Sequence, residues 1–479
     1  MKLEFKRCLA LSLGAAAILA GGNVPAADKE LLDMLVKNGA IDKKQYDTLM
    51  KKATVSTADG SNIVTKLNEK GLSMETADKN FSFKVNGRTH ADSVWHGDNG
   101  KTTGAGRVDE DGTHGGTAND ANDGVGIRRA RIEFSGTFWK DWNWRMQYEF
   151  ANNTKPLFKD MWIQYAGWDL ATLTVGEQKR PISLQQMMSS NDMVFTERSI
   201  DYAFVAPLER AIGLRADSSG ANWSAGIGVF GDSINGNSSA ASTTDNTKDD
   251  QGWSVAGRAT WAPINEKDKV FHVGASGSYT KTEDSVDDTH GKAKFTVKPT
   301  GVVSDFTLLD TGTMRNVRDY TNVNVEAAAV YGPFSTEAEY TRSFIAREND
   351  GGASGDELAD LTFDGWHMDV HYTLTGESRH YNVKTGSFGR VKPNRNFDMA
   401  GGLGAWEIGA RIMQIDMNDE TFKAGRATGS SFALNWYPNQ NIRFMADYTH
   451  LWDVDNTNRV SGEDPADLDY VQLRGQLAF

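Results

Sequence analysis

Residues 142–150, WNWRMQYEF, place Trp142, Trp144, Met146, Tyr148 and Phe150 on one parity and Asn143, Arg145, Gln147 and Glu149 on the other. Successive side chains of a strand point to opposite faces, so the stretch predicts a ribbon with one apolar and one charged side. The alternation recurs. In 81–95, Phe81, Phe83, Val85, Ala91 and Trp95 oppose Lys84, Asn86, Arg88, His90 and Asp92. In 128–138, Ala130, Ile132, Phe134 and Phe138 oppose Arg129, Arg131, Glu133 and Ser135. In 442–449, Ile442, Phe444, Ala446 and Tyr448 oppose Arg443, Met445, Asp447 and Thr449. The final DYVQLRGQLAF repeats it, Val471, Leu473, Leu477 and Phe479 against Tyr470, Gln472, Arg474 and Gln476. About sixteen segments of roughly ten residues carry the pattern, the length that tilted membrane-spanning strands require.

The connections alternate in length. WKDW (139–142), YGPF (331–334) and YPNQN (437–441) read as tight turns, whereas 97–124, 231–251, 345–361 and 452–467 are long, polar and rich in Gly and Asp. Short turns at one end and long loops at the other predict an all-β fold, a transmembrane antiparallel β-barrel of about 16 strands. A secreted sandwich or propeller would bury the same apolar parity in a core. Against it stand Trp and Tyr near the strand ends (Trp95, Trp139, Trp142, Trp223, Trp253, Trp261, Tyr279, Tyr331, Trp436), which suit interfacial girdles. The other parity is also heavily charged, and closure removes the exposed edges of so large a sheet. On this reading Trp142 and its set face lipid, and Arg145 faces the lumen.

The N-terminus breaks the pattern. Lys2, Lys6 and Arg7 precede an apolar run at 9–21 and a small-residue site at Val24-Pro25-Ala26, which predicts a signal peptide over 1–27. Residues 28–71 read as a periplasmic helical segment, with Leu31, Leu32 and Leu35 at helical spacing and Asp42 with Gln45 forming a capping box. The barrel is expected over 72–479. Cys8 is the one cysteine and lies inside the signal, so the mature chain has no thiol for a disulfide or metal site. The net charge is −13, more negative once the signal is removed, which argues against a nucleic-acid partner. Mean hydropathy is −0.51, and beyond the signal no apolar run approaches the roughly 18 residues of a membrane helix.

Catalytic signatures do not hold up. GIGVFG (226–231) matches a dinucleotide fingerprint, but it lies in an alternating segment with no helix after it. His367, Asp369 and His371 share one strand face and could ligate a metal, but read better as polar lumen residues. Glu337 and Glu339 could do acid–base work; setting a pore's field suits them better. The expectation is no catalytic residue, no cofactor and no metal.

Several stretches carry a resemblance: LSMETADKNFSFKVNGR (72–88), RRARIEFSGTFWKDWNWRMQYEF (128–150), LTVGEQKRPISL (173–184), VEAAAVYGPFS (325–335), LTGESRHYNVKTGSFGRVKP (374–393), GAWEIGARI (404–412) and LNWYPNQNIRFMADYTH (434–450). Together they resemble the phosphate-selective outer-membrane porin family of the O and P type. The resemblance implies a sixteen-stranded homotrimeric porin in the outer membrane, in contact with lipid and lipopolysaccharide, passing small anions through a lumen narrowed by infolded segments. Three polar segments are placed to fold inward: 181–208, the loop around Lys294 and Lys298, and 375–402, which falls where a short turn is expected.

A narrow, low-dielectric passage focuses the field of its charges, so basic residues along it would concentrate anions. The expected anion-binding residues are Lys84, Arg88, Arg129, Arg131, Arg145, Arg180 and Arg215 on strands, with Lys294 and Lys298 from the loop. Each could instead be tied up in a lumenal salt bridge, Arg129 and Arg131 with Glu133 or Arg145 with Glu149. Acidic residues complicate the reading. Glu326, Glu337, Glu339, Asp369, Glu407 and Asp447 point inward by parity, and opposed walls of unlike charge suit a general-diffusion or cation-tolerant pore. A barrel enzyme or adhesin is the remaining alternative.

Overall fold

A computed structural model of the protein describes residues 63–97, 121–151, 156–235, 252–282, 291–301, 303–304, 306–348, 358–420, 422–455 and 466–479. The expected signal and the capped helix at 29–50 lie outside the described residues. Residues 63–71, read as the end of the helical segment, are extended instead and open a hairpin. Two compact units are distinguished, 63–86 with 134–144, and 87–133 with 145–479.

The strands, in chain order, are β1 (Ile63–Asn68), β2 (Gly71–Thr76), β3 (Ser82–His96), β4 (Gly124–Phe138), β5 (Trp142–Glu149), β6 (Leu157–Tyr165), β7 (Thr172–Lys179), β8 (Arg210–Ser219), β9 (Trp223–Phe230), β10 (Trp253–Asn265) and β11 (Lys269–Lys281). They continue with β12 (Thr296–Val297), β13 (Leu309–Asp310), β14 (Val317–Tyr331), β15 (Phe334–Arg347), β16 (Leu361–Thr373), β17 (Tyr381–Asn382), β18 (Ser387–Phe388), β19 (Ala405–Asn418), β20 (Lys423–Tyr437), β21 (Ile442–Asp455) and β22 (Ala466–Ala478).

In the smaller unit, β1 folds back on β2 at Gly71, whose φ of 85° favours a residue without Cβ. The β2–β3 turn is held by Asp78, which accepts from Thr76 Oγ1 at 2.6 Å and from the Asn80 amide side chain at 2.8 Å. Phe81, Phe83, Phe134, Phe138, Trp139 and Trp144 make a continuous aromatic cluster with centroids 4.9–6.4 Å apart. The β4–β5 turn puts Trp139 and Lys140 at positive φ, 48° and 65°.

Strands β3–β11, β14–β16 and β19–β22 make a closed sixteen-strand antiparallel barrel, almost without helix, as the alternation predicts. Closure comes from β22 pairing back on β3, Tyr470 opposite His96 through Ala478 opposite Arg88. Its apolar parity faces outward: Ile163, Val175, Ile227 and Phe432 are each more than half exposed, the arrangement that lipid stabilises. Trp406, Trp436 and Phe444 stack in a row along the outer rim, with centroids 5.6 Å apart at each step. GIGVFG lies on and just after β9, a strand and not a phosphate loop.

The interior departs from the simple picture of a polar lumen. Residues 180–209, between β7 and β8, fold inside and contain a one-turn helix, α1 (Leu184–Met187), followed by 3-10 turns at Ile200–Phe204 and Ala206–Leu208. Phe204 packs against Phe295, from the 282–316 loop, and against Phe363 of β16. Ile182, Leu208, Phe306, Leu308, Ile415, Leu451 and Leu468 join them in one buried apolar cluster. The C-terminal strands therefore present apolar side chains inward near their long-loop end, where infolded segments cover them. Burial of this apolar surface, about 25 cal/mol per Å², holds the loops in place.

Candidate ion path

The infolded segment is fastened mainly to β11, β14–β16 and β19–β22, opposite the strands that carry the arginine-rich pattern. Glu339 accepts the backbone N–H of Leu184 at 2.9 Å and of Gln185 at 2.7 Å. His367 Nδ1 lies 3.0 Å from Asp201, and its Nε2 lies 2.9 Å from the Gln185 amide. Asp447 accepts from Thr196 N at 2.6 Å and Thr196 Oγ1 at 2.7 Å. Asn322 and Asn435 donate to the carbonyls of Phe204 and Val194, at 2.8 and 2.9 Å. His371 Nδ1 lies 3.2 Å from Ser335 Oγ and from the Arg379 guanidinium, and no metal-ligand cluster occurs among the described residues.

The connection 374–404 also turns inward. Arg258 of β10 donates to Thr385 O at 2.9 Å and Gly386 O at 2.7 Å, and Tyr381 OH lies 2.8 Å from His272 Nδ1. Arg379 meets Glu337 at 3.2 Å. Inward acids of the C-terminal half are thus consumed. Glu326 pairs with Arg258 and His272, Asp369 takes both ends of the Arg411 guanidinium at 2.8 Å, and Glu407 accepts from Tyr437 OH at 2.6 Å. The expected acidic wall is a set of covered fastenings and not a charged face opposing the arginines.

The remaining wall is basic. Arg129 and Arg131 come from β4, Arg145 from β5, Lys159 from β6, Lys179 from β7 and Arg210 from β8, joined by Arg128 and by Arg198 of the infolded segment. Five carboxylates lie among these eight cations. Glu149 holds Arg131 at 2.7 Å, Glu133 and Asp160 flank Arg145 at 3.3 and 3.5 Å, and Asp160 also meets Arg210 at 2.9 Å. Glu197 takes Arg128 at 2.6 Å, and Glu209 lies 3.7 Å from Lys159. The pairing crosses the expected one: Arg131 goes to Glu149, and Arg145 to Glu133. Arg129, 8 % exposed, pairs with none of the described residues, and its Nε has no hydrogen-bond acceptor.

Lys179 donates to the Gln186, Met187 and Met188 carbonyls at 2.6, 3.4 and 3.0 Å, while Arg198 donates to Gln185 O at 2.9 Å. The two cations therefore satisfy the open carbonyl end of α1. Burial alone would raise the Glu197 carboxyl, but the charge and hydrogen bonds of Arg128, with Arg474, hold it well below the usual carboxylate range. Glu209 is likewise pulled well down, its burial outweighed by Lys159 and Arg210.

The other expected residues are dispersed. Arg88 donates to Ser189 and Ser190 Oγ at 3.3 and 3.2 Å, beside the infolded segment. Arg180 is buried, donating to Gly231 O at 3.1 Å with its guanidinium 5.9 Å from the Phe230 ring. Arg215 is bound to Asp217 at 2.5 Å and Lys294 to Asp310 at 2.9 Å. Lys298 is exposed and engaged elsewhere, and Lys84 is exposed on β3. Parity alone misses Arg128. Val125 and Ile127 are exposed, Arg129 and Arg131 are buried, and Arg128 still reaches Glu197 with both Nε and a terminal nitrogen. The Arg128-Arg129 doublet was the available signal, but strict alternation sends only one of its members inward.

Known proteins place the chain. The family model described as phosphate-selective porin O and P matches residues 101–479. Porin O of Pseudomonas aeruginosa is 27 % identical over 442 residues, covering 86 % of this chain and 92 % of that protein. An uncharacterised protein of Caulobacter vibrioides is 26 % identical over 327 residues, covering 68 % of this chain and 62 % of its own. Among solved structures, OmpT of Vibrio cholerae, including its trimer form, aligns with a TM-score of 0.47 at 11 % identity over 83 % of this chain and 99 % of its own. OmpF of Salmonella typhi in complex with daunomycin aligns at 0.47 and 14 % identity over 85 % of this chain and 100 % of its own. With most of its length matched by the family model and its strands closed into one barrel, the chain belongs to the phosphate-selective porin O and P family and is an outer-membrane porin, a diffusion channel and not an enzyme.

Proposed function

We propose that the porin is anion-selective and passes small anions of the phosphate class along the β4–β8 wall. The observation that carries this reading is the charge surplus of that wall: among the described residues Arg129 is buried without an ion pair, beside cations that outnumber their carboxylates. An uncompensated guanidinium in a low-dielectric passage attracts an anion, and its fork suits an oxyanion. Weak, multi-site binding then lets the solute leave. We further propose a homotrimer in contact with lipopolysaccharide, with the N-terminal segment on the periplasmic side.

A second reading has its own support. That support lies in the sequence alone: Asp109-Glu110-Asp111, Asp249-Asp250, Asp356-Glu357 and Glu463-Asp464 fall outside the described residues, and acidic loops of this kind would favour a general or cation-tolerant pore. Single-channel reversal potentials under a KCl gradient, repeated with millimolar phosphate, separate the two. A chloride-directed potential with phosphate block supports the anion path. A cation-directed or near-zero potential without block supports the second reading.

A further inference from the structure

The turn 189–192, closed by Asp192 N donating to Ser189 O at 2.9 Å, is the part of the infolded segment most crowded by arginines. Arg88 of β3 donates to its two serine hydroxyls. Arg443 of β21 donates to Met193 O at 2.6 Å, Arg379 to Asp192 O at 3.5 Å, and Arg390 Nε lies 3.9 Å from the Asp192 carboxylate. Of these arginines, Arg379 has its own acid in Glu337. Arg443 is fully buried, with its remaining donors on Tyr437 OH at 3.3 Å and Gln476 at 2.8 Å, and its Nε has no acceptor. Among the described residues, Arg88, Arg390 and Arg443 therefore have one carboxylate between them at ion-pair distance, Asp192, and it reaches Arg390 alone.

Asp192 is also held unlike the other acids of the path. Glu197 and Asp447 each accept several hydrogen bonds, and Asp160 accepts from Arg210 at 2.9 Å. Among the described residues the Asp192 carboxylate has only the long 3.9 Å approach to Arg390, and its side chain is 26 % exposed. A carboxylate that is loosely paired, part-exposed and surrounded by surplus guanidinium is poised to be exchanged.

We propose that Asp192 is a tethered counter-ion that holds the place of a permeating oxyanion at Arg390. The proposal rests on the anion-path reading. A phosphate arriving at the 189–193 turn displaces the carboxylate from Arg390, and Asp192 returns when the phosphate leaves. The guanidinium is never left bare, so the site exchanges anions instead of retaining them. Asp192 thereby sets how weakly the path binds its solute.

The test is phosphate block of chloride current through reconstituted Asp192→Asn, Asp192→Glu and Arg390→Gln channels, with reversal potentials recorded beside it. Removing one part-exposed competitor should lower the half-blocking phosphate concentration by about fivefold and lengthen the blocked dwell. Asp192→Glu should behave as the unaltered protein, and adding Arg390→Gln to Asp192→Asn should cancel the gain. Each variant is first required to show the heat-modifiable gel shift of the folded barrel. An anion-selective parent whose block is unchanged or weakened by Asp192→Asn overturns the tethered counter-ion and leaves the anion path standing. A cation-selective parent without phosphate block overturns the anion path and this proposal with it.

Discussion

The Glu339 carboxylate, on β15, accepts both Leu184 N and Gln185 N, the first two N–H groups of α1, and a third bond from Asn324 Nδ2 at 3.0 Å. A short helix end with no preceding helical turn to satisfy these donors is thus fixed to the barrel wall by one side chain. Charge-assisted bonds of this kind contribute about 1.5–3 kcal/mol each when their loss leaves a buried donor unsatisfied. Glu339→Ala should therefore loosen residues 180–209 while leaving the sheet closed. Limited proteolysis of the folded protein within that segment, together with increased open-channel noise, checks this; Glu339→Gln should show a smaller effect.

Arg129 and Arg131 sit two residues apart and should respond oppositely. Arg131 neutralises Glu149 and also reaches Gln147, so Arg131→Ala strands a buried carboxylate and should cost about 2–3 kcal/mol. Arg129 has no ion-pair partner among the described residues, so Arg129→Ala should change stability by less than about 1 kcal/mol while moving the reversal potential toward cations. Urea unfolding midpoints and bilayer recordings on the two variants decide it. A large stability loss from Arg129→Ala would mean that it has a structural partner.

Glu197 gives the path its acid limit. Its folded pKa is depressed, so the stability it contributes is present above the unfolded carboxyl value, roughly 4.3, and is lost as pH falls below it. Its links to Arg128 and Arg474 should hold through the range from neutral to about pH 5. The part of selectivity and current noise that depends on these two links should therefore stay constant across that range and change only in stronger acid. A transition near pH 6 would point to another titrating group instead.

Gly386 lies in the infolded arm at φ 53°, and a Cβ there would meet Thr260 Oγ1 at 2.6 Å and Thr260 Cγ2 at 2.7 Å. Its carbonyl also accepts from Arg258. Gly386→Ala combines left-handed strain of about 1–2 kcal/mol with a clash against a strand, and should push the arm away from β10. Larger single-channel conductance is the expected result; unchanged conductance would mean that the arm does not border the open path.

The smaller, local regularities were legible in the residues. Period-two alternation identified the strands, since it is a property of each strand taken alone and a slip of one residue would expose the whole charged face to lipid. Tight turns such as 139–142 and 437–441 were legible for the same local reason. Even the unusual length of 375–402 stood out against its neighbours, because a connection too long for a turn has to be packed somewhere.

Charge partners were not legible. Parity placed Arg131, Glu133, Arg145 and Glu149 inward, but the choice of Glu149 for Arg131 and Glu133 for Arg145 depends on cross-strand reach. Nor could parity anticipate that Glu326, Glu339 and Asp447 would be covered. Their partners Arg258, the α1 amides and Thr196 approach from distant parts of the chain. The apolar interior around Phe204, Phe295 and Phe363 was hidden likewise, since two of these three rings belong to loops.

The sequence by itself determined that the chain is a closed sheet with lipid outside and polar groups inside, because alternation and turn length act between neighbouring residues. Only the tertiary structure decided which of the inward charges remain available to a solute. That depends on where residues 180–209 and 374–404 come to rest: they cover the acids of one wall and leave Arg129 on the other without an ion pair among the described residues, and Coulomb energy is set by distance and burial, not by order along the chain.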